Sequence, residues 1–198
     1  MSTQEQSIWQ KPHHHMDKEG THQSVHWIEL FYDLIHVVLI FMLGNYLSEH
    51  LSISGFSVFV CLFIAIWYSW ADSSVFNSLY VSTDLKHRVI MAAQIITVMF
   101  MAAAIPNVEN NGWPYFASAY AVNRFIIAFL YHRTAYLGIE DSRLATRASQ
   151  NFFLLGLVFL ISAFIPQPYS YLLFGIGVIS IQIQYMMPKI GLLEYERV

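Results

Sequence analysis

Six apolar stretches, each about as long as a bilayer is thick, run through the chain with polar or turn residues between them. They fall at 27–46, 54–73, 89–105, 114–132, 152–165 and 170–187. A membrane core takes ~20 apolar residues as a helix, which rises ~1.5 Å per residue and satisfies its own backbone polar groups. The fifth stretch is short for that length and reads better when begun near Ala148. Pro106 and Pro166 close the third and fifth stretches, since proline cannot continue a helix. The connection at 166–169 forces the last two stretches into a tight antiparallel hairpin. Composition agrees: 56% of the 198 residues are hydrophobic and only 12% are charged. A soluble domain carries about 25% charged residues, too many for this chain to match. The expected architecture is an all-α, polytopic integral-membrane bundle of six transmembrane helices over 27–187. Polar tails flank it at 1–26 and 188–198.

The basic residues set an orientation. Lys11 and Lys18 precede the first stretch; Lys86 and Arg88 lie in the second connection; Arg133, Arg143 and Arg147 lie in the fourth; Lys189 and Arg197 follow the sixth. The first, third and fifth connections hold no Lys or Arg, although Glu49 and Glu109 lie there. Cationic loops stay on the cytoplasmic side, so this alternation predicts cytoplasmic termini at both ends of a cell-membrane protein. The first 26 residues lack the apolar core and the small-residue cleavage site of a signal peptide. A single cysteine, Cys61, excludes an intramolecular disulfide, and a net charge of -3 without basic runs gives no nucleic-acid footprint.

Ionisable residues inside the stretches carry the most information, because each costs roughly 2.5–3.5 kcal/mol at mid-membrane unless it finds a partner or water. Glu29, Asp33 and His36 fall within an arc of about 60° on the first helix. Counted inward from Trp27, Asp33 lies ~9 Å deep. From Arg88, Gln94 lies ~9 Å deep, and from Arg133, Arg124 lies ~13 Å deep. These depths predict a buried Asp33–Arg124 ion pair, shared with Glu29 and bridged by Gln94. The same pair reads equally as a packing device, and Glu29 as an interfacial carboxylate. His36 reads as a neutral histidine bonded to a neighbouring helix ahead of a proton relay. Asp72 is expected at the interface, and Asn45, Asn123, Gln182 and Gln184 as interhelical hydrogen-bond formers. Trp27 and Trp113 are placed as edge anchors, and Trp67 and Trp70 as packing and interface residues.

Several chemistries lack their residues. No lysine lies inside a stretch to hold retinal, and there is no HExxH, P-loop or GxSxG. Tyr32-Asp33 matches the first motif of presenilin-type proteases, but their GxGD is missing, since Gly175-Ile176-Gly177 is followed by Val178. His13, His14, His15, His22 and His26 have no cysteines or regular ligand spacing beside them, so no metal site is read there. No catalytic residues, metal or cofactor are expected, and the sequence does not point to an enzyme.

Trp27-Ile28-Glu29-Leu30-Phe31-Tyr32-Asp33-Leu34 resembles the ELFFDLVFV signature that opens the bacterial low temperature requirement A family. Trp67 and Trp70 resemble the aromatic end of that family's second helix. Asp84-Leu85-Lys86-His87-Arg88 with Met91 and Gln94 resembles its DDLxHRLLMLxQ stretch, and Arg124 with Tyr131-His132-Arg133 its RLxLxxLYLR helix. The likeness covers 27–135, and more weakly the last two stretches. Where this chain has His36 the family usually has phenylalanine. Family members are typically longer, with a second helical half opening on an ERFGLFTI-type motif that Leu193–Val198 resembles at its start. The resemblance implies a polytopic membrane protein with paired intramembrane charges and adds weight to Glu29, Asp33, Asp84, Arg88 and Arg124. It leaves open a naturally short member or one completed by a second copy or a second half-length partner, and supplies no substrate; the number of intramembrane polar groups, more than one six-helix bundle buries, points to a homo-oligomer. Two functions lead: a proton-coupled transporter or ion-conducting protein, and a non-catalytic membrane scaffold in which the charge pair only clamps helices; a lipid-modifying enzyme is the weakest reading, because no nucleophile or metal set is visible.

Overall fold

A computed structural model describes residues 13–14, 27–81, 85–136 and 142–186. Six helices form: α1 (Trp27–Glu49), α2 (Ile53–Leu79), α3 (Leu85–Ala104), α4 (Trp113–Tyr136), α5 (Ser142–Phe164) and α6 (Tyr169–Met186). Each expected stretch lies on one of them, and α2 begins at an N-cap, where the Ser52 hydroxyl accepts from Gly55 N at 3.0 Å. A 3-10 turn at Ile105–Asn107 carries Pro106 and ends α3. Gly112 follows because a Cβ there would stand 2.6 Å from the carbonyl oxygens of Ala104 and Asn107. A two-residue antiparallel bridge pairs β1 (His13–His14) with β2 (Tyr80–Val81).

Helix α1 touches α2 and α3, α3 touches α4, α4 touches α5, α5 touches α6, and α6 returns to α2. These contacts close a ring, and α2 and α4 also meet across it. Among the described residues, four segments are long and apolar enough to cross a membrane: Trp27–Glu49, Ile53–Leu79, Leu85–Asn107 and Arg143–Phe164. Over Tyr169–Ile183, α6 is a shorter apolar helix. The exception by composition is α4, which carries Asn123, Arg124, His132 and Arg133. Its buried residues explain this. They run from Trp113 and Phe116 through Tyr120, Asn123, Arg124, Ile127 and Tyr131 to Thr134 and occupy most of its circumference. A helix surrounded by protein can carry polar groups that a lipid-facing helix cannot.

At the end of the bundle away from α1's start, aromatic rings fill the core. Phe174 lies 4.7 Å from Phe159, 5.1 Å from Trp113 and 5.4 Å from Tyr120, ring centre to ring centre. Trp113 is therefore buried, its indole N–H 3.3 Å from the Ser162 carbonyl, instead of anchoring at the edge; Trp27 is exposed as expected. Close helix approach is set by small residues. A Cβ on Gly156 would stand 2.6 Å from the Phe125 ring, and one on Gly177 2.6 Å from the Phe159 ring.

Candidate functional site

The site grows from the phase of α1. Ile28, Tyr32, His36, Leu39, Leu43 and Tyr46 are its buried residues, spaced by threes and fours. At ~100° per residue, Asp33 sits ~100° from the centre of that stripe, while His36 sits on its flank. Tyr32 enters the bundle in place of Asp33. Its hydroxyl lies 3.0 Å from Ser73 Oγ and 3.1 Å from the Ser69 carbonyl oxygen, both on α2.

From there a buried hydrogen-bond layer crosses four helices. Gln94 of α3 donates through Nε2 to Ser73 Oγ at 3.0 Å. Ser69 donates to Asn123 Oδ1 at 2.9 Å, and Asn123 Nδ2 donates to Thr97 Oγ1 at 2.9 Å. Thr97 in turn donates to the Gln94 carbonyl at 2.7 Å. One turn along, the Tyr120 hydroxyl donates to the Ala65 carbonyl at 3.0 Å, tying α4 to α2.

The charges sit in this layer. Arg124 Nη1 donates to Asp72 Oδ2, and the two side chains are 0% and 1% exposed. The Tyr120 ring covers the guanidinium with its centre 4.8 Å from Cζ, and the Phe152 ring lies 5.9 Å away. Among the described residues, Arg124 Nε and Nη2, Gln94 Oε1 and His36 Nε2 are buried without a hydrogen-bond partner. His36 Nδ1 lies 2.9 Å from the Tyr32 carbonyl, which makes Nδ1 the protonated nitrogen and leaves Nε2 an acceptor.

The expected Asp33–Arg124 pair is therefore corrected to Asp72–Arg124. Asp33 is exposed on α1 and accepts from Trp70 Nε1 at 2.8 Å. Glu29 is half-buried in the first turn of α1 and does not join Arg124 and Asp72 in their ion pair. Two physical facts displaced the expectation. The arc that holds Glu29, Asp33 and His36 overlaps the buried stripe only at its edge. An apolar stretch that ends at Ser73 puts Asp72 at the interface. Helix α2 instead continues to Leu79 on Phe76 and Val75, which puts Asp72 seven residues, ~10 Å, inside it.

Gln94 does not bridge Asp33 to Arg124 but bonds Ser73 of α2, and His36, expected to bond a neighbouring helix, is buried and bonds the Tyr32 carbonyl of its own helix. Asn123 and Gln182 do bond between helices, the latter as acceptor from the Tyr68 hydroxyl of α2. Asn45 is exposed, and the side chain of Gln184 lies outside the described residues. The motif expected in the second connection is corrected for two of its residues: His87 and Arg88 lie in the first turn of α3, His87 buried and stacked 6.3 Å from Phe76 and Arg88 exposed, while Asp84 lies outside the described residues. So do His15, His22 and His26, and the segment 187–198. Sequence reading missed Tyr32, Ser69, Ser73 and Thr97, while Tyr120 was legible as lying on the face of Arg124. Tyr32 and Tyr120 carried a signal, since a tyrosine inside an apolar helix needs a hydroxyl partner.

The family model described as "Bacterial low temperature requirement A protein (LtrA)" matches residues 24–192. The chain belongs to the LtrA family. The match takes in all six helices and every member of the buried layer, so the site lies wholly within the family domain. No curated protein and no solved structure matches the chain. This LtrA chain is a multi-pass membrane protein, and its apolar helices suit a lipid bilayer. At the end of the bundle opposite α1's start, Glu109 accepts from the Tyr46 hydroxyl and stands 4.0 Å from His50 Nε2. Those groups are partly exposed and tether the third connection to α1, apart from the interior layer.

Proposed function

We propose that this LtrA protein is a proton-coupled transporter or ion-conducting membrane protein, with Asp72 and Arg124 as its coupling pair. The observation that carries the reading is the unpaired Nε–Nη2 edge of Arg124, a buried cation joined through Nη1 to Asp72. Buried polar groups in native proteins are almost always paired with protein or water. A site that leaves a guanidinium half satisfied is suited to admitting something else. Protonation of Asp72 removes the charge that holds Arg124 and favours a second packing of α2 against α4. The protein performs no bond chemistry in this reading; its interior groups bind and release.

The reading includes six spans with both termini cytoplasmic, supported by the alternation of basic residues and the antiparallel order of the helices. It also includes a homo-oligomer. Asp33 stands among exposed Leu30, Phe31, Leu34 and Val37, where a second copy of the chain relieves the cost of a carboxylate facing lipid. Cross-linking in native membranes that gives only monomer contradicts this part.

The test is proton movement in proteoliposomes under an imposed pH gradient. Protein-dependent flux that disappears in Asp72→Asn, while thermal unfolding stays near that of the parent, supports the reading. Normal flux in a folded Asp72→Asn protein sinks it. A second reading, a membrane scaffold with the pair as a packing clamp, is favoured by the complete burial of both side chains. It expects the same substitution to lower stability and leave no transport defect to measure.

A further inference from the structure

The transport reading leaves the solute unnamed, and the inference here rests on that reading and names its class. Arg124 Nη1 is committed to Asp72, and aromatic rings approach the guanidinium at 4.8 Å and 5.9 Å from Cζ. The two nitrogens left over are Nε and Nη2. These two carry parallel N–H groups along one edge of the planar group. That edge is one of the two forks that match a pair of oxygens on a carboxylate or similar oxyanion. The unpaired donors therefore form one complete recognition edge, and Arg124 is 0% exposed.

We propose that the Nε–Nη2 edge of Arg124 binds a small monovalent oxyanion of carboxylate or nitrate type, which crosses the membrane together with one proton carried on Asp72. Charge balance requires the pairing. With Asp72 ionised, the Asp72–Arg124 pair is neutral, and an added anion leaves one uncompensated negative charge in a sealed interior. When Asp72 takes a proton from the aqueous side, its carboxylate becomes a neutral carboxyl and Arg124 turns to the anion. One proton and one anion then enter neutral and leave neutral. Of the other buried unpaired atoms among the described residues, Gln94 Oε1, His36 Nε2 and Asn77 Oδ1 are acceptors and do not bind the anion, and Ser170 Oγ lies on α6, outside the layer.

The test uses the full chain in nanodiscs and in proteoliposomes, with nitrate and lactate as probes against chloride and methylammonium at matched ionic strength. Nitrate or lactate raises the thermal midpoint more than chloride does, and more at acidic than at neutral pH. Arg124→Lys keeps the charge but loses the fork, and nitrate affinity falls about tenfold or more. Asp72→Asn, a fixed neutral partner, binds nitrate at neutral pH as the parent does at acidic pH. Proton flux runs faster with nitrate or lactate than with chloride, and clamping the membrane potential does not change it. Equal midpoints for all anions, or binding unchanged in Arg124→Lys with normal helical content, means that water alone meets the edge, and the inference is overturned. Proton flux indifferent to the anion overturns it while leaving the transport reading intact. Oxyanion binding without any flux upholds the site and overturns the transport reading.

Discussion

The two ends of this bundle are built on different principles. One half of the interior is a hydrogen-bonded layer in which Tyr32, Ser69, Asp72, Ser73, Gln94, Thr97, Asn123 and Arg124 meet from four helices. The other is a stack of aromatic rings from α4, α5 and α6, centred on Phe174. In lipid, helices gain no hydrophobic energy by leaving one apolar solvent for another, so they associate through packing and polar contacts. The aromatic half uses the first device and the polar half the second. A polar layer is an expensive way to hold helices together when rings achieve it next door. On the proposed reading, the polar layer is kept for what its groups bind and release, and the aromatic half only for packing.

Substitutions break or sharpen that contrast, beginning with the most damaging. Asp72→Ala leaves Arg124 buried without its counter-charge, and a loss of about 3–5 kcal/mol is expected in denaturant unfolding. Replacing both partners with apolar residues of similar volume restores most of that stability, since the pair repays its own desolvation poorly. Phe174→Ala opens a cavity among Trp113, Tyr120 and Phe159 and costs about 3 kcal/mol, yet proton flux per folded molecule stays at the parent level. Gly177→Ala drives a methyl into the Phe159 ring from 2.6 Å and costs about 1–3 kcal/mol, seen as a lower thermal midpoint. Asn123→Ala removes the bridge between Ser69 and Thr97 and costs about 1 kcal/mol, as interhelical hydrogen bonds in membranes do. If Phe174→Ala stops flux in folded protein, the division between the two halves is wrong.

The six helices were legible in the sequence because each is an uninterrupted apolar run bounded by turn residues. Their ends were less so. The pair Ser73-Ser74 after Asp72 looked like a boundary, but Val75, Phe76 and Leu79 keep α2 going, and Asp72 moves from the interface to the interior. Arg124 was legible as an intramembrane charge needing a partner, because no lipid-facing helix tolerates it. Its partner was not. Asp33 and Asp72 differ in burial by the rotation of their helices, and rotation is set by which neighbour each stripe faces. The aromatic stack was invisible for a similar reason: Trp113 at a segment edge reads as an anchor until α6 arrives with Phe174 and Tyr171. The bridge between His13–His14 and Tyr80–Val81 joins residues too far apart in sequence for any local signal.

Proton flux in proteoliposomes, measured side by side for Asp72→Asn and Asp33→Asn, tests the account most directly. Both asparagines keep an acceptor oxygen, so Trp70 retains its bond to position 33 and Arg124 retains a neutral contact at position 72. Flux lost in Asp72→Asn and kept in Asp33→Asn is the expected result. Flux kept in Asp72→Asn and lost in Asp33→Asn contradicts it, and returns the working charge to the outer face of α1.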